Sequence, residues 1–319
     1  MRAVQLDVEA ALREVEAILR RSLDGTGEPE LHRMAAETVF SGGKRLRPRV
    51  MLLSYLACEP REPRPELLEA AAGIELIHAA TLVHDDIMDR SPTRRGRPAV
   101  QAAHGPDRAI VAGDFLFVQG FALSARQDAT VIAETARACT KLAEGQLREL
   151  QALADGHLDL PRYVEIIGGK TAAPLEACGR VGAHFAGRDD LMDALGAYGR
   201  HLGLAFQVTD DLLDVRGDPA VTGKPRGNDL RNRAPNAAVV LGLTNGARAR
   251  LEGLLRDRMT EAEVEAALDT LLQSGAVADA ERLAAEFAAR AVESLAALPP
   301  SAAKRELEGL VRALPRRAA

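Results

Sequence analysis

Six aspartates in two matched triplets are the side chains whose type and spacing best suit a chemical task. They are Asp85, Asp86 and Asp89, followed far along the chain by Asp210, Asp211 and Asp214. Within each triplet the spacing i, i+1, i+4 brings the carboxylates to one side of a helix. Mg²⁺ binds a few carboxylates, keeps several waters and leaves its remaining positions for phosphate oxygens. The triplets therefore predict Mg²⁺ held between two acidic helices and bound to a diphosphate.

An alternative interpretation of each triplet is a solvated acidic helix end. Two observations count against it. Carboxylates at a helix C-terminus oppose the helix dipole, so they destabilise the helix unless a cation offsets them. Each triplet also follows a mainly apolar run, residues 74–83 in the first case and 202–208 in the second. The carboxylates thus emerge from a hydrophobic core.

Basic side chains on both sides of the first triplet predict phosphate sites. Lys44 and Arg47 follow the glycine pair at 42–43, and Arg94 and Arg95 come just after the acidic helix. Arg can bind phosphate oxygens with two parallel hydrogen bonds, whereas Lys acts as a point charge. The alternative for each group is a basic surface loop.

Four further positions could serve the same chemistry. His78 lies two helical turns before Asp85 and near the same face, although a lone His in an apolar helix is usually a core residue. Lys170 and Thr171 lie just before a proline that should kink their helix, where a surface lysine is the alternative. Lys224, in a Gly-rich loop after the second triplet, resembles the cation of a lid that closes over phosphates.

Helical periodicity runs through the whole chain and predicts an all-α protein. Only 3% of the residues are aromatic and Trp is absent, so Ala, Leu and Val must fill the core, which favours packed helices over a sheet. A helix is predicted over 66–89, another over 160–184 with a kink at Pro174, and a loop over 217–235. No strand pattern or repeat is evident, and no linker is long enough to separate domains. We therefore predict a single domain over residues 1–319.

Composition also excludes several classes of protein. The net charge of −5 argues against nucleic acid as a partner. Three cysteines without a CxxC pattern predict reduced thiols, not a disulfide or zinc framework. The sequence has no run of 18 apolar residues, so it predicts no transmembrane segment. The acidic N-terminal region is unlike a targeting peptide. The sequence predicts a cytoplasmic protein, and contact with a membrane for release of an apolar product is compatible with this interpretation.

Taken in order, six motifs make the sequence resemble the trans-isoprenyl diphosphate synthases, or polyprenyl synthetases. They are GGKRLRP at 42–48, ELIHAATLVHDDIMD at 75–89, RRGRP at 94–98, GGKTA at 168–172, FQVTDDLLD at 206–214 and GKPRGNDL at 223–230. The resemblance covers about residues 30–240. It implies a helical bundle around a central cavity, usually homodimeric, that condenses isopentenyl diphosphate with an allylic diphosphate and requires Mg²⁺.

The resemblance also implies a role for each candidate residue. Asp85, Asp89 and Asp210 would ligate Mg²⁺, with Asp86, Asp211 and Asp214 supporting them directly or through water. The allylic diphosphate would contact Arg94, Lys170 and Lys224. Isopentenyl diphosphate would contact Lys44, Arg47, His78 and Arg95. Thr171 and Gln207 would help to hold the leaving group. After Asp229 the family usually has a Lys-containing stretch, which this chain replaces with residues 232–236.

Small residues upstream of the first triplet bear on product length. Ala80 and Thr81 lie where a prenyl tail would pass, and in the family small residues there accompany products longer than geranylgeranyl diphosphate. The alternative is a short-chain synthase whose cavity is closed by Phe115, Phe117 or Phe121. Two other functions are alternatives, namely a class I terpene cyclase and a non-catalytic partner subunit of a heteromeric synthase. The cyclase typically has a different second metal motif, and such subunits usually lose an aspartate triplet.

Overall fold

The computed structural model describes residues 7–24, 26–60, 64–217, 226–255 and 259–314, and these are mainly helical. The prediction of an all-α fold is confirmed. The α-helices are α1 Val8–Leu23, α2 Pro29–Val39, α3 Leu46–Ala57, α4 Glu66–Met88, α5 Val100–His104, α6 Pro106–Ser124, α7 Ala129–Asp155, α8 Leu160–Ile167, α9 Ala173–Phe185, α10 Met192–Arg216, α11 Asn228–Asn232, α12 Ala237–Thr244, α13 Arg248–Leu254, α14 Glu261–Gln273, α15 Ala276–Ser294 and α16 Ala302–Arg312. A π-helical turn spans Gly168–Ala172 and a 3-10 turn spans Asp189–Leu191.

The chain divides into two compact units. Unit 1 comprises Met1–Ala136, Ala177–Leu195 and Leu298–Lys304. Unit 2 comprises Arg137–Glu176, Gly196–Ala297 and Arg305–Ala319. The first acidic triplet belongs to unit 1 and the second to unit 2. The single domain predicted over 1–319 stays a prediction.

Helix α4 forms the core of unit 1 and ends at the first acidic triplet. It packs mainly against α6 and also against α1 and α3. Among the described residues α4 alone has the length and mean hydropathy of a membrane span, and 67% of that apolar stretch is buried inside the protein. A helix that is apolar on all sides and buried in this way is typical of the centre of a packed helical unit.

Glycines let the backbones of α4 and α6 touch. A Cβ added to Gly120 would lie 2.7 Å from the carbonyl oxygen of Gly73 and 2.7 Å from Cγ1 of Ile77. Both distances are shorter than any ordinary van der Waals contact, and the carbonyl belongs to a backbone that cannot rotate away. The closeness of the two helices therefore depends on the absence of a side chain at Gly120.

We expect Gly120→Ala to destabilise the protein by about 1–3 kcal/mol, the usual cost of overpacking a tight contact. Gly309→Ala is the matched control, because Gly309 is also helical but an added Cβ there meets nothing within 4 Å. That control should gain up to about 1 kcal/mol from helix propensity. Urea unfolding followed by far-UV circular dichroism measures both, and equal effects of the two substitutions would contradict the close contact.

A short hairpin follows α4, where the sequence shows no strand pattern. Thr93–Arg94 pairs antiparallel with Arg97–Pro98. The two turn residues, Arg95 and Gly96, have φ values of 52° and 74°, and positive φ at both central positions is what a type I′ turn requires. The turn thereby sets the orientation of the arginines of the RRGRP motif relative to the end of α4.

In unit 2 the predicted kink at Pro174 takes the form of a π-helical turn. Pro174 has no N–H to donate to the carbonyl of Lys170. The N–H of the preceding residue, Ala173, donates to the carbonyl of Gly168, which is five residues back and not four as in an α-helix. The helix predicted over 160–184 is therefore interrupted at Gly168–Ala172. Single π-helical turns within α-helices frequently mark functional positions.

Glycines also bring the π-helical turn close to its neighbours in unit 2. A Cβ added to Gly169 would lie 2.5 Å from the carbonyl oxygen of Lys141 on α7. A Cβ added to Gly203 on α10 would lie 2.5 Å from Cα of Ala172. The turn that presents Lys170 and Thr171 is thus in backbone contact with helices on two sides.

Candidate active site

The acidic triplet of unit 1 holds its three carboxylates in different environments. Asp86 is buried and accepts hydrogen bonds from Arg94, at 3.0 Å from Nε to Oδ1 and 2.5 Å from Nη2 to Oδ1. Asp85 is half-buried and Asp89 is exposed at the end of α4. Because i and i+4 share a helix face, Asp85 and Asp89 can present carboxylates together, while Asp86 holds the hairpin arginine.

Arg45 fixes the loop that carries the other basic residues. Its Nε donates to Glu16 at 2.5 Å, its Nη1 to Glu75 at 2.9 Å, and its Nη2 to the carbonyl of Val39 at 2.7 Å. Its backbone is left-handed, with φ 48°. The guanidinium therefore joins α1, α4 and the end of α2, and it serves to position its neighbours Lys44 and Arg47.

Three basic residues next to this loop, Arg47, His78 and Arg95, lie within electrostatic range of one another, and we call this group the basic pocket. The Nε of Arg47 is buried and has no hydrogen-bond partner within the described part of the chain. Burial lowers the pKa of Arg47, although the nearby Glu75 opposes the shift. Burial, then the positive charges of Arg47 and Arg95, lower the pKa of His78 well below 6.5. His78 is therefore neutral at pH 7, and the pocket has an unsatisfied donor that suits an anion.

Arg95 reaches this pocket from the hairpin. Its Nη1 donates to Ser41 Oγ at 3.2 Å and to the carbonyl of Gly42. Its guanidinium lies so close to Gly43 that a Cβ there would be 3.0 Å from Nη1. Lys44 is exposed at the same loop. The structure thus brings the two basic motifs of unit 1 together, as the sequence only suggested.

The second triplet, in unit 2, is joined to the π-helical turn by a chain of hydrogen bonds. Thr171 Oγ1 donates to Gln207 Oε1 at 2.9 Å, and Gln207 Nε2 donates to Asp211 Oδ1 at 2.9 Å. Tyr163 donates its hydroxyl to Asp211 Oδ2 at 2.6 Å, and the backbone N–H of Ala237 donates to the same oxygen at 2.8 Å. Burial raises the pKa of Asp211 to about 7, although these donors favour its ionised form.

Asp214 and Asn236 connect the second triplet to the segment that follows residues 218–225. The carboxylate of Asp214 accepts from the backbone N–H groups of Asn228 and Asp229, both at 3.0 Å. These contacts cap the short helix Asn228–Asn232, which explains why part of the predicted loop is helical. Asn236 donates to Asp229 Oδ2 at 2.9 Å and to the carbonyl of Asp211 at 3.1 Å.

Lys170 lies on the π-helical turn and forms an ion pair with Glu149 of α7. The carboxylate of Glu149 is 13% exposed and the Lys170 side chain 25% exposed. An ammonium in this setting can exchange its carboxylate partner for a phosphate oxygen. The carboxylate of Glu149 therefore holds the Lys170 ammonium in place on the π-helical turn.

Both triplets have the donor chemistry of a site for a hard divalent cation. Each offers carboxylate oxygens and no nitrogen or sulfur ligand. Within the described ranges, no three His, Cys, Asp or Glu side chains converge closely enough to hold a metal ion by themselves. Mg²⁺ and Ca²⁺ prefer oxygen ligands, and Mg²⁺ commonly takes only one or two carboxylates and completes its shell with water and phosphate oxygens. The residues present fit such an ion.

The structure therefore groups most of the predicted site residues within their own units. Unit 1 groups Asp86 with Arg94, and Arg47 with His78 and Arg95. Unit 2 groups Thr171 with Gln207 and Asp211. Lys224 lies outside the described residues. The roles assigned to all of these side chains stay predictions.

Five residues of these networks carried no role in the sequence interpretation. They are Glu16, Glu75, Glu149, Tyr163 and Asn236. Glu75 had a signal, since it is an acid within an otherwise apolar helix. Tyr163 and Glu149 resemble ordinary residues of amphipathic helices, and only their long-range contacts distinguish them.

An all-α chain with acidic clusters at two helix ends, and with a buried, unsatisfied arginine Nε in the same unit as the first cluster, has the characteristics of an isoprenoid synthase. Residues 28–271 match the family model described as Polyprenyl synthetase. The chain is 32% identical to a geranylfarnesyl diphosphate synthase of Natronomonas pharaonis, with 95% of this chain and 96% of the relative covered. It is 33% identical to a nonaprenyl diphosphate synthase of Mycobacterium tuberculosis, covering 97% and 92%.

A solved structure gives the same result. The polyprenyl synthase of Caulobacter crescentus CB15, complexed with calcium and isoprenyl diphosphate, superposes with a TM-score of 0.91 at 32% identity, over 98% of this chain and 96% of that one. The chain belongs to the polyprenyl synthetase family. It is a trans-prenyltransferase with the isoprenoid synthase fold, and its family joins an allylic diphosphate to isopentenyl diphosphate in a metal-dependent reaction.

Proposed function

We propose that this protein is a Mg²⁺-dependent polyprenyl diphosphate synthase that extends an allylic diphosphate head to tail and makes products longer than geranylgeranyl diphosphate. The observation that carries the proposal is the pair of matched aspartate clusters, each at the C-terminal end of a long helix and each linked to basic or hydroxyl side chains. Mg²⁺, when bound, would supply positive charge to the departing diphosphate.

The chain's own residues support each step of this reaction. Asp85, Asp89 and Asp210 would hold the cation, and Arg94, Lys170 and Lys224 would contact the allylic diphosphate. As the allylic C–O bond breaks, Lys170 and Thr171 stabilise the negative charge on the leaving group, as oxyanion-hole donors do. The isopentenyl double bond then attacks the allylic carbon and a C–C bond forms. The resulting cation loses a proton as a new double bond forms, and the released diphosphate takes that proton.

The second substrate would occupy the basic pocket of unit 1. Lys44, Arg47 and Arg95 offer the positive charge for isopentenyl diphosphate, and the buried unsatisfied Nε of Arg47 supports an anion there. His78 would take part as a neutral imidazole, since its pKa lies well below 6.5 because of burial and the surrounding arginines. A neutral imidazole can donate one hydrogen bond to a phosphate oxygen.

A radiochemical incubation tests the proposed function. Purified protein is incubated with labelled isopentenyl diphosphate, farnesyl diphosphate and Mg²⁺, with excess chelator as control. Elongated diphosphates that disappear with chelator support the proposal. Hydrocarbon products would indicate a terpene cyclase, and absence of turnover would indicate a non-catalytic partner subunit.

Of the two small residues where the product tail would pass, Ala80 and Thr81, we propose that Thr81 lines the path because it is the less buried. Ala80 is fully buried, whereas Thr81 is half-exposed and lies four residues before Asp85, on the same helix face. Relatives of this chain are named as synthases of products from geranylgeranyl to nonaprenyl diphosphate.

We expect Thr81→Phe to shorten the product by at least one isoprene unit, because the ring would occupy the space that the tail needs. Thin-layer chromatography of the dephosphorylated products measures the length. Thr81→Ser keeps the small side chain and is the control, with an unchanged distribution expected. Equal product lengths for the Phe and Ser variants would exclude Thr81 from the path of the tail.

We also propose that the protein is a homodimer that pairs through α6. Ile110, Val111 and Val118 are 46%, 55% and 61% exposed on this helix, and their spacing places them along one side. Large apolar side chains exposed together on one helix are typical of an interface. The double substitution V111D/V118D should halve the mass measured by analytical ultracentrifugation, whereas a wild-type monomer would contradict the proposal.

The proposed location is the cytoplasm. Cys58, Cys139 and Cys178 are unpaired, and burial raises the pKa of Cys58 and of Cys178 to about 12. Such thiols stay protonated and unreactive, as expected of structural cysteines in a reducing compartment. Contact with a membrane would serve the release of an apolar product.

A further inference from the structure

Asp211 differs from an ordinary metal-binding carboxylate because the protein itself satisfies both of its oxygens. Oδ1 accepts from Gln207 Nε2 at 2.9 Å. Oδ2 accepts from the hydroxyl of Tyr163 at 2.6 Å and from the N–H of Ala237 at 2.8 Å. Three donors leave little lone-pair capacity for a cation, so these contacts hold Asp211 in one orientation.

Burial makes the Tyr163 contact hard to replace. Tyr163 is 0% exposed and Asp211 is 2% exposed. A carboxylate that loses a donor in such a place cannot recover the bond from bulk water, and an unsatisfied charged group is more costly than a neutral one. The carboxylate would then have to turn, or its helical turn would have to shift.

The same helical turn also holds the segment that begins at Gly227. Asn236 donates to the carbonyl of Asp211, and Ala237 donates to its side chain. Asp214, three residues further along, accepts from the N–H groups of Asn228 and Asp229. A change in the orientation of Asp211 would therefore reach Asp210 on one side and residues 227–237 on the other.

We propose that Tyr163 is a positioning residue for the second acidic cluster, acting through Asp211 to fix the helical turn that carries Asp210. The proposal rests on the proposed function, because it assumes that this cluster holds a divalent cation against a diphosphate. Partners that orient metal ligands without touching the metal typically affect affinity 10–100-fold when they are removed. Tyr163 reaches the cluster from 48 residues away in the sequence.

The chain provides a matched control for a lost tyrosine hydroxyl. Tyr198 is also 0% exposed, also lies in unit 2, and donates its hydroxyl to the backbone carbonyl of Leu307 at 2.8 Å. Tyr163→Phe and Tyr198→Phe thus remove the same group from equally buried positions. Only Tyr163→Phe loses a contact to the acidic cluster. A difference in Mg²⁺ affinity between the two variants therefore reports the positioning of the cluster, and not the general effect of losing a buried hydroxyl.

The test is a calorimetric titration of Mg²⁺ into the protein with saturating inorganic pyrophosphate. We expect the Kd for Mg²⁺ to rise about ten-fold in Tyr163→Phe and to change less than about two-fold in Tyr198→Phe. The melting temperature without metal should fall in both variants, and further in Tyr163→Phe, which leaves a carboxylate oxygen without one of its donors. Equal Mg²⁺ affinities in the two variants would overturn the proposal, and so would absence of Mg²⁺-dependent pyrophosphate binding by the wild-type protein.

A double-mutant cycle keeps the test decisive if Tyr163→Phe is poorly folded. In the background of Asp211→Asn the carboxylate is already absent, so adding Tyr163→Phe should change the Kd for Mg²⁺ little. Independent, additive effects would mean that Tyr163 does not act through Asp211. The radiochemical incubation distinguishes failure of the proposed function from failure of this inference. A protein that binds Mg²⁺ and pyrophosphate but yields no product would refute the proposed function and not this inference.

Discussion

Asp85→Asn and Asp210→Asn should each lower kcat/KM by about 10²–10³-fold, the scale of losing a group that acts directly on the developing charge. Asn keeps the shape of the side chain and removes the negative charge that a divalent cation needs. Stability should be unchanged or slightly higher, because the carboxylate of Asp85 lies at the C-terminal end of α4, where a negative charge opposes the helix dipole. A loss of activity without a loss of stability is the signature of a functional residue.

Steady-state kinetics at several Mg²⁺ concentrations and a thermal scan check this prediction. Asp269→Asn is the control, because Asp269 is an exposed carboxylate near the C-terminal end of α14, and its activity should match the wild type. Should the Asp85 variant retain activity within two-fold of the control, the metal role of the first cluster would be wrong. A rise in the Mg²⁺ requirement without a fall in kcat would instead indicate a supporting role for that carboxylate.

Lys170→Met should lower kcat about 10²-fold, because the variant loses a cation directed at the leaving diphosphate. It should also destabilise the protein by about 2–3 kcal/mol, since the carboxylate of Glu149 would be left mostly buried without its partner. The double variant Lys170→Met/Glu149→Gln removes that orphaned charge. We therefore expect the double variant to recover most of the lost stability and none of the lost activity.

The ion pair between Lys141 and Glu144 on the same helix gives the control. This pair is exposed, at 51% and 39%, so Lys141→Met should leave both the melting temperature and kcat close to those of the wild type. Chemical denaturation gives the free energy of unfolding, and single-turnover assays give the chemical step. Recovery of activity together with stability in the double variant would show that Lys170 has a structural role only.

The sequence predicts the fold class and the positions of the acidic clusters because these depend on local patterns. Apolar periodicity predicted α4 over 66–89, and the structure has it over Glu66–Met88. Pro174 correctly predicted a break in its helix, since a missing N–H is a local property. That break takes the form of a π-helical turn in close backbone contact with Gly145 and Gly203 of other helices, and no local pattern encodes such contacts.

The sequence could not predict which of several similar side chains would find hydrogen-bond partners within the protein. Arg45 and Arg47 stand two residues apart in one basic motif, yet Arg45 is satisfied by Glu16 and Glu75, 29 and 30 residues distant, while the Nε of Arg47 stays unsatisfied. The hairpin at 93–98 similarly requires Arg95 to adopt a positive φ, which is uncommon for a residue other than Gly. Contacts of this range are fixed only when the helices pack.

The burial of Tyr163 against Asp211 has a practical consequence for spectroscopy. The chain has no Trp and only three Tyr, and all three rings are almost completely buried. Tyrosine absorption and tyrosine emission therefore arise from Tyr55, Tyr163 and Tyr198, with no Trp to mask them. Since a carboxylate hydrogen-bonded to a phenol quenches its emission, the tyrosine emission of the protein carries a component that reports on the second acidic cluster without any added label.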